Sequence, residues 1–162
     1  MILRDATLDE LDFIMRTERL PGYERTIGQW SAAEHSQEMS KPGSRYLVAM
    51  EAHEAVAFAI LQTLDDPAGN IYLKRIAVVR QGGGIGTSAV LLLQDWVFAL
   101  PDAHRFHLHF SALNEPGRRL YARTGFQPEG IEREVYKLED GARVDSVRVS
   151  ILRAEWEKSR GV

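Results

Sequence analysis

Four glycines, Gly82, Gly83, Gly84 and Gly86, come two residues after a run from Asn70 to Val79 that reads as a strand. After them Ile85, Ala89, Leu92, Leu93, Trp96 and Val97 recur at helical spacing. A strand that enters a helix through such a loop constrains this chain more than any other feature of the sequence. One glycine is enough for a tight turn. Four let the backbone approach a ligand closely, with free N–H groups and the positive end of the helix aimed at an anion.

The remaining elements are read from periodicity and breakers. Ile2 to Ala6 reads as an opening strand, and Thr7 as the N-cap of an amphipathic helix that turns Leu8, Leu11 and Ile14 or Met15 inward. Pro21-Gly22 breaks that helix, and a second is expected over Ile27 to Met39, ended by Lys41-Pro42-Gly43. Tyr46 to Glu51 and Ala55 to Leu64 read as a hairpin turning at His53-Glu54. Past the central helix, stopped by Pro101-Asp102, Phe106, Leu108 and Phe110 alternate with His107, His109 and Ser111 as a two-faced strand. Asn114 can cap a helix that tolerates Pro116 in its first turn and ends at Gly125. Strands near Phe126 to Tyr136 and Val144 to Leu152, around a turn at Asp140-Gly141, complete the chain. The expected order is β-α-α-β-β-β-α-β-α-β-β, an α/β (α+β) fold in one domain over residues 1–162. One crossover helix separates the strands at Asn70 and Arg105, so these two should run parallel in a mostly antiparallel central sheet.

Composition narrows what the loop can serve. Twenty Lys and Arg against 23 Asp and Glu leave a net charge of −3, without the basic face that nucleic acid or an anionic membrane requires. There is no cysteine, which excludes disulfides, thiolate zinc sites and cysteine nucleophiles. The charged opening MILRDATLDELDF lacks an apolar h-region, and no uncharged apolar run approaches the ~18 residues of a spanning helix. A cytoplasmic protein is expected. His107 and His109 share a strand face without a third ligand at a recognisable spacing, so no metal is expected.

Three phosphate patterns compete for the loop. A nucleotide P-loop needs Gly-Lys-Ser/Thr, and no Lys stands here. A dinucleotide fingerprint matches superficially at Gly84-Ile85-Gly86-Thr87-Ser88-Ala89, but it needs a carboxylate at the end of the next strand; Asp102 precedes that strand, which ends at Ser111. The third is Gln81-Gly82-Gly83-Gly84-Ile85-Gly86, an Arg/Gln-x-x-Gly-x-Gly/Ala pattern that resembles the pyrophosphate loop of the GNAT superfamily of acyl-CoA N-acyltransferases. Asn114 to Phe126 resembles the same family's Asn-x(5)-Leu-Tyr-x(3)-Gly-Phe segment, in the same order and on the same kinds of element. Phe126 to Gly130 and Ser150 to Trp156 resemble the subgroup that includes ribosomal-protein N-terminal and polyamine acetyltransferases.

The resemblance implies a GNAT-like fold with two splayed parallel strands, acetyl-CoA as cosubstrate, and a small-molecule amine or peptide N-terminus that attacks the thioester directly in a ternary complex. N–H groups from Gln81, Gly82, Gly83, Gly84, Ile85, Gly86 and Thr87 would take the pyrophosphate, and the backbone of Ile76, Ala77 and Val78 would pair with the pantetheine arm. Asn114 would bond that arm, cap its helix, or both. Tyr121 stands where the family has its usual general acid. A phenol of pKa about 10 can donate to a thiolate of pKa nearer 8.5, and packing beside Leu120 is the plainer alternative. Tyr72 stands where several relatives carry a Glu base, which leaves His107, His109, a water relay or deprotonation in solution for that role. Arg118 or Arg123 could reach the coenzyme's ribose phosphate or face solvent. Asp9, Glu10, Asp12, Glu18, Glu24, Glu34 and Glu38 could draw a cationic acceptor or serve only as solvated helix faces. A non-catalytic acyl-CoA-binding module is the rival reading, and a homodimer is an open expectation.

Overall fold

The strand Glu54–Gln62 explains why both faces of the sheet are covered: its run Val56 to Leu61 is buried throughout, so each face needs its own layer of helix. The structure, a computed structural model, describes residues 1–161. The elements are β1 (Ile2–Asp5), α1 (Leu11–Glu18), α2 (Ala32–Met39), β2 (Arg45–Glu51), β3 (Glu54–Gln62), β4 (Asn70–Val78), α3 (Ile85–Phe98), β5 (Arg105–Ser111), α4 (Glu115–Arg123), β6 (Gln127–Lys137), β7 (Arg143–Leu152) and α5 (Arg153–Arg160). One seven-stranded sheet has the order β1-β2-β3-β4-β5-β7-β6. Leu47, Leu61, Leu73 and Phe106 pack against Val90, Leu93 and Val97 of α3 on one face. Phe58, Ile60 and Ala77 pack against Leu11 and Ile14 of α1 on the other. Among the described residues no helix is long and apolar enough to cross a membrane.

The parallel pair expected between the strands at Asn70 and Arg105 is present, and it is short. Asn70 pairs with Arg105, Ile71 with Phe106 and Tyr72 with His107, while β4 runs on to Val78 and β5 to Ser111. The two strands therefore part above Tyr72. Gly69 holds them together below: its carbonyl accepts from His104 N–H at 2.9 Å and Arg105 N–H at 3.1 Å. A bulge opposite Ile60 and Leu61 leaves Lys74 without a partner in β3, which is how Leu73 faces α3 while Arg75 and Ala77 face α1. With a single parallel pair the sheet is not doubly wound, and the dinucleotide reading of the loop fails on topology.

Four local expectations are corrected. The first turn after β1 is a 3-10 turn, Leu8–Glu10, so α1 starts at Leu11 and Leu8 is exposed rather than inward. The β2–β3 turn falls on Ala52-His53, both with positive φ, because Glu51 pairs with Glu54. Helix α2 starts at Ala32, not Ile27: Ser31 and Glu34 cap it reciprocally, with Ser31 N–H on Glu34 Oε2 at 2.7 Å and Glu34 N–H on Ser31 Oγ at 3.3 Å. A helix after β7 was not expected. Sequence periodicity cannot reveal α5, because tertiary contacts hold it: Trp156 Nε1 donates to Asp95 at 2.9 Å, and the Arg153 guanidinium donates to the carbonyls of Phe98, Leu100 and Ala103 at 2.7–2.8 Å.

Candidate active site

Where β4 and β5 part, a cleft of ≈ 1370 Å³ crosses the sheet. On the α3–α4 side it is lined by Gly82, Gly84, Gly86, Thr87 and Asn114. On the α1 side it is lined by the irregular segment Gly22 to Gln29 and by the β6–β7 turn, Tyr136 to Asp140. Arg25 and Asp140 bridge these last two walls at 3.8 Å.

Gly82, Gly83 and Gly84 have φ of +83°, +67° and +85°, and a Cβ on any of them would meet nothing within 4 Å. Backbone conformation demands glycine here, and the space in front of the loop is open. The first α3 bond runs from Ser88 N–H to Gly84 O at 3.0 Å, so the N–H groups of Ile85, Gly86 and Thr87 have no partner within the helix. These free N–H groups, at the start of a 14-residue helix, form an arrangement chemically able to take an anion. Gly86 has ordinary helical φ, and a Cβ there would sit 3.5 Å from Leu120. Ile85 is buried against Ala49, Val56 and Ala57, so it can offer only its backbone, and neither it nor Gly83 lines the cleft.

The free edge of β4 is more selective than expected. Val79 N–H bonds Val56 O, so by antiparallel alternation Ala77 is the next residue to exchange bonds with β3, while Ile76 and Val78 turn theirs to the cleft. Ala77 is thus removed from the expected pantetheine contacts. Val78 is occupied from within: Tyr23 Oη donates to Val78 O at 3.1 Å and accepts from Val78 N–H at 3.0 Å. Tyr23, which reaches over from the segment after α1, is a site residue that no sequence signal marked.

Tyr121 sits in the gap with its ring between Phe110 and Phe126, at centroid distances of 5.3 and 5.7 Å. It is 6% exposed and lines the cleft, so packing and cleft-facing roles coexist. Burial, reinforced by Tyr23 and Tyr72, raises its pKa, and the phenol stays protonated. Asn114 caps α4, its Oδ1 accepting from Gly117 N–H at 2.9 Å, and it also lines the cleft. Arg119 and Arg123 line the cleft; Arg118 turns away to Glu115 at 3.5 Å.

The acidic residues of the N-terminal half are mostly spent on the fold. Glu18 is fully buried, with Arg75 at 2.7 Å and His35 at 3.4 Å, Glu34 caps α2, and Glu38 binds Lys41, Ser44 and Gln62. Only Glu24 of the seven lines the cleft. The cleft also carries Lys74, whose pKa is lowered by burial and then by Arg75, and Arg75 itself, stacked 4.4 Å from the Trp30 ring centroid. Tyr72 and His109 lie at the cleft floor, and His107 packs against the Tyr72 ring without lining the cleft; burial lowers the pKa of both histidines, His107 to about 4. Among the described residues no group of three His, Asp or Glu converges as a metal site.

The parted parallel pair leaves room between β4 and β5 for an extended ligand, with the free N–H groups of the α3 start at one mouth and a second, protein-lined mouth opposite. A model of the Acetyltransferase (GNAT) family matches residues 8–126, and the chain belongs to that family of acetyl-CoA-dependent N-acetyltransferases. No curated protein matches it in sequence. In fold it is similar to the spermidine N-acetyltransferase of Vibrio cholerae in complex with CoA and spermine, at 20% identity and TM-score 0.83 over 95% of this chain and 96% of that one. A point mutant of the same enzyme superposes with TM-score 0.84 at 20% identity, over 99% of each chain.

Proposed function

We propose that this single domain, residues 1–162, transfers an acetyl group from acetyl-CoA to the primary amine of a small molecule or peptide N-terminus by direct attack in a ternary complex. The observation that carries the proposal is the parting of β4 and β5 above Tyr72, with the open glycine loop at one mouth and the Tyr23–Gln29 and Tyr136–Asp140 walls at the other. The pyrophosphate lies on the N–H groups of Gln81 to Thr87, and Arg119 or Arg123 meets the outer phosphate. The pantetheine arm takes the free edge at Ile76 and Val78, with Asn114 across the gap, and displaces the Tyr23 hydroxyl from Val78. Tyr121, held neutral by burial, hydrogen-bonds the departing thiolate.

The acceptor enters past Tyr23–Gln29. The walls there mix Glu24, Glu139 and Asp140 with Arg25, Lys74 and Lys137, so charge alone does not select between a polycation and an amine that also carries an anionic group; binding of spermine is a property of the Vibrio cholerae enzyme. Gly86→Val tests the cofactor half, alanine being already allowed at this position of the Arg/Gln-x-x-Gly-x-Gly/Ala pattern. The added Cβ makes ordinary contact with Leu120, so the fold should stand while the valine branch narrows the phosphate approach. Titration calorimetry should give acetyl-CoA affinity at least tenfold weaker than wild type; an unchanged affinity would refute the loop assignment. Thiol release from acetyl-CoA with glycylglycine, free amino acids and spermidine tests transfer itself. Tight acetyl-CoA binding with no release on any amine would favour the non-catalytic module.

A further inference from the structure

Tyr72 is the last β4 residue paired to β5, so its side chain stands at the floor of the cleft where the strands part. Its hydroxyl is hydrogen-bonded to Nε2 of His109, and the two rings meet edge to face with centroids 5.2 Å apart. The other side of the Tyr72 ring lies against His107, also at 5.2 Å. Behind His109, its Nδ1 is 3.6 Å from Glu132 Oε2, and the other Glu132 oxygen accepts from Arg148 at 3.4 Å. Three strands, β4, β5 and β6, each contribute one member of a phenol–imidazole–carboxylate series. Tyr72 and His109 line the cleft; Glu132 does not.

We infer that Tyr72, His109 and Glu132 form a proton relay that takes the proton from the acceptor ammonium at the floor of the cleft. The inference rests on the acetyl transfer proposed above and supplies its missing base. The ammonium proton passes to the Tyr72 oxygen as the Tyr72 proton passes to His109 Nε2, leaving a neutral amine and an imidazolium beside Glu132. The amine lone pair then forms the N–C bond. The C–S bond breaks with its electron pair on sulfur, and the surplus N–H proton goes to the thiolate. After the products leave, His109 returns its proton to solvent, so amide, free thiol and one proton are the sum.

The charge environment fits this direction of transfer. The groups around the Tyr72–His109 pair are Lys74 and Arg75 from β4, His107 from β5, Glu132 and Tyr136 from β6, and Arg148 from β7. Burial keeps the Tyr72 phenol protonated and His109 neutral at pH 7, and Glu132 is the one neighbour that favours imidazolium. An α-amine, of pKa about 8, lies much nearer to histidine than an alkylammonium of about 10.4, so the relay is matched to an amino acid or peptide N-terminus.

Two measurements test it. Long-range proton–nitrogen NMR of His109 at pH 7, without any acceptor, should find hydrogen on Nδ1 and an unprotonated Nε2. Hydrogen on Nε2 would overturn the relay, because that nitrogen could not accept from Tyr72. Tyr72→Phe keeps the ring against His107 and deletes the hydroxyl. With glycylglycine as acceptor, kcat should fall about 10²–10⁴-fold while acetyl-CoA affinity from calorimetry stays within twofold. Wild-type kcat should be flat with pH from 8 down to His109's depressed pKa, below the usual ~6.5; in Tyr72→Phe and His109→Gln it should instead climb tenfold per pH unit toward the amine's own pKa. Equal kcat and equal profiles in wild type and Tyr72→Phe would reject the relay and leave the transfer reading standing. Failure of wild type to release thiol with every amine tried would reject both.

Discussion

At the scale of single residues, burial decides protonation, and protonation carries consequences for both stability and rate. Burial lowers the His107 pKa from 6.5 to about 4, and His109 is shifted in the same direction. The unfolded chain therefore takes up these protons near pH 6.5, whereas the folded chain resists until about pH 4 for His107. Stability contributed by the neutral ring is complete above pH 6.5, declines as pH falls toward 4, and changes no further below that. Each fully shifted histidine can supply at most about 1.4 kcal/mol per pH unit, and solvent reaching these half-buried rings reduces that. Urea unfolding at pH 7 and pH 5 should find wild type losing more stability than His107→Gln; equal losses would remove His107 from the balance. Tyr121 is tested on rate. Tyr121→Phe keeps the packing against Phe110 and Phe126 and removes one hydroxyl. At saturating acetyl-CoA, kcat should drop about 10²–10⁴-fold with little change in cofactor affinity. An undiminished chemical step in folded Tyr121→Phe would leave this residue as packing alone.

At the scale of elements, the cleft depends on how two strands are held together below and released above. Gly69, with φ +70°, is the lower clamp: a Cβ there would lie 2.1 Å from the backbone oxygen of Asp102. Neither the left-handed conformation nor that contact can be relieved by moving a side chain. Gly69→Ala should destabilise the fold by roughly 2–4 kcal/mol, read by denaturant midpoint, and should weaken acetyl-CoA binding because the strand starts shift. A midpoint within error of wild type would mean the β4–β5 base can re-form without the clamp. The glycines after β4 behave differently. Gly82, Gly83 and Gly84 face open space, so their substitution strains the backbone without a clash, whereas Gly86 is conformationally ordinary and gives the cleaner functional test.

At the scale of the whole molecule, the two mouths of the cleft are coupled through Tyr23. This side chain belongs to the wall on the acceptor side, yet its hydroxyl occupies the β4 edge groups of Val78 that the cofactor arm would take. Tyr23→Phe should free that edge and tighten acetyl-CoA binding by about 1 kcal/mol, roughly fivefold, in calorimetry. Weaker binding would mean that the hydroxyl contacts the cofactor instead of making way for it. Acetyl-CoA at 100 times its Kd should stabilise the folded protein by about 2.7 kcal/mol, and NAD should not. Equal stabilisation by NAD would reopen the dinucleotide reading.

What the sequence determined by itself was whatever depends on local chemistry. The glycine loop with its strand and helix, the Asn114 cap, the alternation of Phe106, Leu108 and Phe110, and the parallel pairing of the strands at Asn70 and Arg105 all follow from spacing, turn residues and crossover handedness. The nomination of Tyr121, and of Tyr72 as the residue in place of a base, came instead from the resemblance of the sequence to the GNAT family. Tertiary structure decided what those positions meet. Neither a period of two nor one of 3.6 tells that β4 and β5 separate after Tyr72, that a bulge at Lys74 exchanges the faces of β4, or that Ala77 is committed to β3 while Tyr23 occupies Val78. Tyr72, His109 and Glu132 are 37 and 23 residues apart in sequence and come together only because β5 lies between β4 and β7, with β6 outside. The acidic residues of the N-terminal half had an obvious use as a cationic lure when read by charge alone. Burial gave Glu18 and Glu38 a different one, because a buried carboxylate such as Glu18 must be paired where it lies, and Arg75 and His35 are the groups the fold brings to it.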